Sequence, residues 1–202
     1  MKYGYFDDEN REYVITSPDT PAPWANYLGS PKYGALISGN AGGYSFVRSG
    51  ANGRILRYVF KDADRPGRYI YIRDNETADY WSASWQPVGK SLDEYRSECR
   101  HGTGYTKMLA DYAGIHSEAL YYVPLDKEYE VWRVKIAVFH TVPPVRFLLC
   151  RSVIVTLNLQ VVEAYGNFSI CECKISLNLH ISCKAFVITG QQSYLLFRTL
   201  LK

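Results

Sequence analysis

The chain has 202 residues, a mass of 23.1 kDa and a formal net charge of +3, which suits one domain or slightly more. Its basic residues form no stripe that could follow a phosphate backbone, which argues against nucleic acid as a partner. The first ten residues lack an apolar signal segment, and Arg151 and Asn158 interrupt the best candidate for a membrane span. We therefore expect a cytoplasmic protein without a membrane partner.

The N-terminal segment predicts a β-hairpin. Residues 3–6 and 12–15 are rich in aromatic and β-branched side chains, and residues 7–11, which begin with three adjacent acids, lie between them. Turns favour Asp and Asn because their side chains hydrogen-bond to the local backbone, so we interpret the acids as a turn rather than a cation site. Residues 17–23 contain three prolines and predict an irregular connector.

The next segment, residues 39–60, contains several glycines. Residues 39–43 and 49–53 predict turns, and residues 44–47 and 54–60 predict strands. A phosphate-binding loop would need Gly-Lys-Ser/Thr at the start of a helix, and this segment has no such pattern. The glycines are therefore interpreted as backbone turns.

The middle of the chain continues the β pattern. Residues 68–73 alternate as a half-buried strand, and residues 112–123 and 129–136 predict further strands. The polar residues 91–99 resemble a helix. Cys99 and His101 would share a face of a strand, but no third residue completes a nucleophilic site, so a packed cysteine and a hydrogen-bonded histidine are expected. The whole pattern predicts an all-β fold, an antiparallel β-sandwich.

The composition changes after residue 136. Of the 20 acidic residues only Glu163 and Glu172 lie beyond it, together with four of the five cysteines and none of the tryptophans. Three explanations are open: a Cys-rich subdomain, a metal site from Cys171, Cys173, His180 and Cys183, or a tail translated out of frame. A C-x-C pair holds one tetrahedral zinc poorly, so no metal site is expected.

Several stretches, in order, resemble the N-terminal domain of cellobiose phosphorylases, in glycoside hydrolase family ninety-four. These stretches are KYGYFDDEN (2–10), PDTPAPWANYLG (18–29), NAGGYSF (40–46), SGANGRILRY (49–58), GRYIYIRD (67–74), YWSASWQPVGK (80–90), SECRHGTGYT (97–106) and EVWRVK (130–135). The resemblance stops where the composition changes. It implies that residues 1–136 form a truncated N-terminal domain and that residues 137–202 are an atypical tail, out of frame.

The resemblance also implies a fold and a function. The fold is an incomplete supersandwich, similar to galactose mutarotase. The parent enzyme would be a cytoplasmic homodimer that converts a β-linked disaccharide such as cellobiose, with inorganic phosphate as co-substrate, into α-glucose 1-phosphate and glucose. Such inverting chemistry needs a carboxylic acid to protonate the leaving oxygen. That acid belongs to the family's (α/α)6 barrel, which no stretch of this chain matches, so we expect no catalytic residue, metal or cofactor here.

The alternative hypothesis is a non-catalytic carbohydrate-binding β-sandwich. Exposed aromatic side chains would then stack against sugar rings. The residues singled out as substrate-binding candidates are Tyr44, Arg54, Trp81, Trp85 and His101. Exposure of both tryptophans on one face would favour the binding module, whereas burial of both would favour the phosphorylase fragment.

The tail also predicts a risk of aggregation. Residues 152–162 are mostly apolar or β-branched and carry no charge, proline or glycine. Without suitable partner strands this segment would offer an open edge.

Overall fold

The computed structural model describes residues 3–56, 67–74 and 77–138, and beyond them the backbone of residues 145–149, 156–165, 168–176, 184–189 and 192–197. Regular structure within these residues consists of strands alone. No helix among them is long and apolar enough to cross a membrane.

Short strands separated by turns follow one another along the chain, as the sequence predicts. Those within the described residues are β1 (Gly4–Asp7), β2 (Glu12–Ile15), β3 (Ala25–Ser30), β4 (Tyr33–Ser38), β5 (Gly43–Val47), β6 (Arg54–Leu56), β7 (Ile70–Asp74), β8 (Tyr80–Ser82), β9 (Arg96–Gly102), β10 (Tyr105–Tyr112), β11 (Ile115–Tyr122), β12 (Tyr129–Val138), β13 (Val145–Leu149), β14 (Thr156–Tyr165), β15 (Phe168–Ser176), β16 (Lys184–Thr189) and β17 (Gln192–Phe197).

These strands form three antiparallel sheets. An eight-stranded sheet has the order β1-β2-β9-β10-β11-β12-β15-β14, a five-stranded sheet has the order β17-β16-β13-β7-β8, and a four-stranded sheet has the order β3-β4-β5-β6. Neighbours in the chain usually pair as hairpins, and the pairing of β2 with β9 brings distant segments together. The predicted all-β, antiparallel class is confirmed.

One hydrophobic core joins the three sheets. Alternate residues of β10 and β11 are buried, so Met108 and Ala119, which are cross-strand partners, both face inward. They belong to the same core as Ile37 of the four-stranded sheet and Ile72 of the five-stranded sheet. Period-two alternation is what a strand with one buried face requires, and this shared core is that of a β-sandwich.

Local signals predicted several elements correctly. The N-terminal hairpin, the irregular connector at residues 17–23 and the strands β5, β7 and β12 lie close to their predicted positions. Residues 57–60 of the predicted strand 54–60 lie outside the described residues. The predicted strand 112–123 begins later, at Ile115, because Ala113 and Gly114 form a turn with positive φ angles of 51° and 73°.

The helix-like interpretation of residues 91–99 is wrong. The backbone makes a single turn, in which the Tyr95 amide donates to the Ser91 carbonyl at 2.9 Å, and strand β9 begins at Arg96. Tyr95 is 1% exposed, and its hydroxyl donates to the Ser82 carbonyl at 2.7 Å. Burial of this one aromatic ring outweighs the weak helix propensity of the polar residues around it.

The backbone of the tail adds strands to two sheets. Strand β15 pairs with β12, and β14 lies at the outer edge beside β15, so residues 156–162 of the predicted aggregation-prone segment are in an edge strand. Strand β13 pairs with β7. His180 and Cys183, which belong to the metal hypothesis, lie outside the described residues. The domain division at residue 136 stays a prediction.

Candidate functional site

An open cleft of about 550 Å³ lies at one end of the eight-stranded sheet, and we call it the hairpin cleft. It lies between the β1–β2 turn, strand β3 and the β9–β10 turn. The lining residues are Phe6, Asp7, Asp8, Arg11, Glu12, Tyr13, Asn26, Tyr27, His101, Gly102, Thr103 and Gly104.

Strand register brings these turns together. Glu12, at the start of β2, pairs with Gly102 at the end of β9, so the turns at residues 8–11 and 103–104 lie side by side. Asn26 fastens β3 to the same place, because its Nδ2 donates to the carbonyls of Gly102 and Tyr105, each at 2.9 Å. The cleft therefore rests on backbone pairing and not on loops alone.

A charged network beneath the cleft holds the first hairpin against β9. The Arg100 guanidinium contacts Glu12 at 2.9 Å and Asp7 at 3.3 Å, and its Nε donates to Glu98. The Tyr105 hydroxyl donates to the other Glu12 oxygen. Glu12 is 4% exposed, so this carboxylate is buried with two strong donors that satisfy it.

The same contacts shift the titration of the groups involved. Burial opposes ionisation of Glu12, but the hydrogen bonds from Tyr105 and Arg100 outweigh it and lower the pKa of this carboxyl. The hydrogen bonds from Asn10 lower the pKa of Asp7. Glu12 in turn raises the pKa of Tyr105 to about 12. The carboxyls of Asp7 and Glu12 are therefore ionised at neutral pH.

His101 lies on the inner wall of the cleft in a fixed orientation. Its Nε2 lies 3.2 Å from the Trp24 carbonyl, which can only accept, so Nε2 carries the proton and donates. Its Nδ1 then accepts from the Thr106 hydroxyl at 2.9 Å. Burial lowers the pKa of His101, which keeps the ring neutral. Both ring nitrogens are therefore committed to structural hydrogen bonds.

Cys99 does not act as a nucleophile in this arrangement. Its Sγ lies 3.9 Å from both His101 ring nitrogens, at the limit for a sulfur hydrogen bond. Cys99 is 3% exposed, and burial raises the pKa of its thiol, so the thiolate is disfavoured. This geometry fits the interpretation of a packed cysteine beside a hydrogen-bonded histidine.

Two exposed aromatic rings flank the cleft. Phe6 is 77% exposed and Tyr27 is 78% exposed, although side chains of this kind are usually at least partly covered. Phe6 packs edge-on against Tyr13, with ring centroids 4.8 Å apart, and Tyr13 packs against Trp24 in the same way at 5.6 Å. Sequence reasoning missed both rings, although the alternation of buried and exposed residues in β3 places Tyr27 outward.

The candidate tryptophans do not form an exposed face. Trp81 is 1% exposed in the core beside Tyr112, so it has no face to offer a sugar ring in this structure. Trp85 is half-buried against the same core, and its indole nitrogen donates to the Lys90 carbonyl at 2.7 Å. Their inward placement is the arrangement expected of the fragment hypothesis rather than of a tryptophan-based binding face.

Tyr44 and Arg54 lie on the neighbouring strands β5 and β6, away from the hairpin cleft. Tyr44 is half-buried on β5 and stacks on Phe46 with ring centroids 6.1 Å apart. Arg54 is exposed on β6 and donates to the Gly50 carbonyl at 2.6 Å. Of the five predicted site residues, His101 alone lines the hairpin cleft. The described residues also hold no group of His, Cys, Asp and Glu suited to a metal ion.

A comparison with protein families identifies the family to which this fold belongs. The family described as "Glycosyl hydrolase 94, supersandwich domain" matches residues 11–138. The chain belongs to this family. The match ends close to residue 136, where the composition changes, and it confirms both the incomplete supersandwich and the resemblance on which it was predicted.

Several relatives of this supersandwich chain are disaccharide phosphorylases. Over 137 residues it is 54% identical to the N,N'-diacetylchitobiose phosphorylases of Vibrio proteolyticus and Vibrio furnissii, which covers 67% of this chain and 17% of each relative. It is 35% identical over 140 residues to the solabiose phosphorylase of Paenibacillus borealis, covering 66% of this chain and 18% of the relative. The chain thus spans about a sixth of the length of these curated relatives.

Proposed function

We propose that this chain is the N-terminal supersandwich part of a disaccharide phosphorylase. Such an enzyme cleaves a β-linked disaccharide with inorganic phosphate and releases a sugar 1-phosphate and a free sugar. The observation that carries the proposal is the 54% identity over 137 residues to phosphorylases of which the chain spans 17%. The chemistry would then lie in the catalytic (α/α)6 barrel of the intact enzyme, which we infer to be a cytoplasmic homodimer.

The proposed substrate is N,N'-diacetylchitobiose rather than the cellobiose expected from the family resemblance. Identity to the two diacetylchitobiose enzymes is 54%, against 35% and 37% for phosphorylases of a solabiose and a glucosyl-glucuronide. Relatives of high identity share a substrate more often than distant relatives do, although the substrate is selected by residues of the site and not by the fold. Cellobiose therefore serves as the competing substrate in the test below.

The chemistry of the described residues supports catalysis elsewhere in the enzyme. Protonation of a glycosidic oxygen needs a carboxylic acid whose pKa is raised. The pKa values of Asp7, Glu12 and Asp79 are instead lowered, since each accepts hydrogen bonds from neighbouring donors. The cleft carboxylates would also repel phosphate. We infer that the chain alone is inactive.

A chimera tests the positive part of this proposal. Residues 1–136 would replace the matching residues of the Vibrio proteolyticus phosphorylase, and release of sugar 1-phosphate from diacetylchitobiose and from cellobiose would be measured. We expect kcat/KM for diacetylchitobiose within about tenfold of the parent, with cellobiose a poor substrate. A folded chimera without phosphorolysis would contradict the proposal.

The isolated chain tests the inference that it is inactive without the rest of the enzyme. With either disaccharide and phosphate it should release no sugar 1-phosphate, because an acid of raised pKa, a phosphate clamp and a closed pocket are needed together. A turnover that persists through purification and disappears in Asp8→Asn or Glu12→Gln would place the chemistry in this chain and refute the inference.

We also propose that residues 137–202 are translated out of frame. Supporting observations are the loss of acidic residues after residue 136 and the end of the family match at residue 138. We expect another frame of the gene, from the codons near residue 137 onward, to encode a continuation that resembles the Vibrio phosphorylases. A gene with no such continuation in any frame would instead favour a genuine Cys-rich subdomain.

A further inference from the structure

We propose that the hairpin cleft is a non-catalytic saccharide-binding site, with the rings of Phe6 and Tyr27 as its sugar-stacking faces. This inference is independent of the proposed phosphorylase function, because every residue that forms the cleft belongs to this chain. The proposed sugar site therefore does not include Trp81 and Trp85, which lie against the core.

The cleft has the dimensions and the lining of a small-ligand site. Its volume of about 550 Å³ falls within the range of roughly 300–1,000 Å³ typical of such sites. Apolar ring faces of Phe6 and Tyr27 lie beside polar groups of opposite kinds, namely the Asp8 carboxylate and the Arg11 guanidinium. A pyranose presents a matching mixture, since its C–H groups pack on aromatic faces while its hydroxyls both donate and accept.

Several polar groups remain available for a ligand. Neither the Asp8 nor the Arg11 side chain makes a hydrogen bond or an ion pair with a described residue, and both are exposed. The Asn26 amide donates inward through Nδ2, which leaves its Oδ1 as an acceptor at the cleft wall. Thr103 adds an exposed hydroxyl. Together these groups supply two acceptors, a multiple donor and a hydroxyl around the two rings.

The charge of the cleft favours a neutral ligand over an anion. Asp7, Asp8 and Glu12 line it as carboxylates, whereas Arg11 is the cation among the lining residues. Arg100 lies beneath and is already shared by Asp7, Glu12 and Glu98. His101 is neutral because burial lowers its pKa. Inorganic phosphate or a sugar phosphate would meet net negative charge, so an uncharged saccharide is the better match.

The walls are fixed before any ligand binds. The Arg100 contacts with Asp7 and Glu12 hold the first hairpin, and Asn26 holds β3 to the β9–β10 turn. Phe6 is supported by its edge-on contact with Tyr13. Binding therefore requires little ordering of the chain, and this preorganisation lowers the entropic cost of a weak interaction.

The test titrates the 202-residue chain with N,N'-diacetylchitobiose and with cellobiose, followed by backbone amide chemical shifts. We expect saturable shifts at Asn26 and Gly102–Gly104 with a dissociation constant on the order of millimolar. Tyr27→Ala should weaken binding roughly tenfold, because the largest exposed ring face is lost, and Tyr27→Phe should retain it. Phe6→Ala should weaken it in the same direction.

Leu125→Ala is the matched control, because Leu125 is 81% exposed but does not line the cleft. Its dissociation constant should equal that of the unaltered chain, and all variants should keep the same far-ultraviolet spectrum. The proposal is overturned by unshifted cleft amides up to the solubility limit of both sugars, or by Tyr27→Ala and Phe6→Ala variants that bind normally. It is equally overturned by shifts with inorganic phosphate alone, or by self-association of the chain that these variants abolish. None of these results would affect the outcome expected of the chimera.

Discussion

Replacing Glu130 with glutamine is expected to lower the free energy of unfolding by about 3–5 kcal/mol, because it leaves a buried arginine without its counter-charge. Arg68 and Glu130 are both 0% exposed. Two parallel hydrogen bonds join them, from Nε to Oε1 at 2.9 Å and from Nη2 to Oε2 at 2.8 Å. A loss of this size is a large fraction of the stability of an ordinary domain.

The surroundings explain why the pair persists in the core. The Trp132 indole donates to Glu130 Oε1 at 2.8 Å, and Arg68 Nη1 donates to the Leu36 carbonyl at 3.1 Å. Burial disfavours the charge on Arg68, but Glu130 outweighs this cost and raises the pKa of the guanidinium. The pair thus ties β12 of the eight-stranded sheet to β4 of the four-stranded sheet through the segment before β7.

The exposed pair Arg48–Glu128 is the matched control, since the same Glu→Gln change is made in an ion pair 77% and 38% exposed. Glu128→Gln should change the free energy of unfolding by less than about 1 kcal/mol. Urea denaturation would measure both variants. The double variant Arg68→Met with Glu130→Leu should recover part of the loss, because it removes the unpaired charge. Equal denaturation midpoints for Glu130→Gln and Glu128→Gln would contradict the expected cost.

Sequence patterns predicted the elements that depend on neighbouring residues. The hairpin at residues 3–15 follows from two short aromatic or β-branched runs around an acidic turn, and β7 follows from the clean alternation of residues 68–73. The Arg68–Glu130 pair could not be predicted in this way, because its partners are 62 residues apart. Arg68 looked like the polar start of a strand, and only the three-dimensional packing shows it buried.

The candidate substrate-binding residues depend on contacts between distant segments in the same way. His101 lines the hairpin cleft, whereas Tyr44, Arg54 and the two tryptophans lie on other sheets or in the core, and the binding role expected of all five stays a prediction. Side-chain type alone cannot distinguish a stacking ring from a core ring, since both are large and aromatic. Phe6 and Tyr27 became candidates only because β2–β9 pairing and the Asn26 hydrogen bonds bring strands β1 and β3 to the same cleft.

Replacing Gly43 with alanine is expected to cost about 4 kcal/mol, from backbone strain and a steric clash together. Gly43 has a φ angle of +137°, a conformation that residues with a Cβ rarely adopt. A Cβ at this position would lie 2.0 Å from the Leu36 carbonyl oxygen, which belongs to the paired strand β4. The glycine-rich segment is therefore explained by the close approach of two strands as well as by turns.

Gly50→Ala is the control for Gly43→Ala. The nearest heavy atom to a Cβ at Gly50 is Phe46 Cδ1 at 3.7 Å, an ordinary contact, so its effect should stay within about 1 kcal/mol. Urea midpoints of the two variants would be compared, and similar midpoints would show that β4 and β5 can separate freely. We expect a large difference, because the Leu36 oxygen displaced by the new methyl group also accepts the hydrogen bond from Arg68 Nη1. Gly43→Ala therefore disturbs the buried ion pair as well as the strand pairing, and its effect should be less than additive with that of Glu130→Gln.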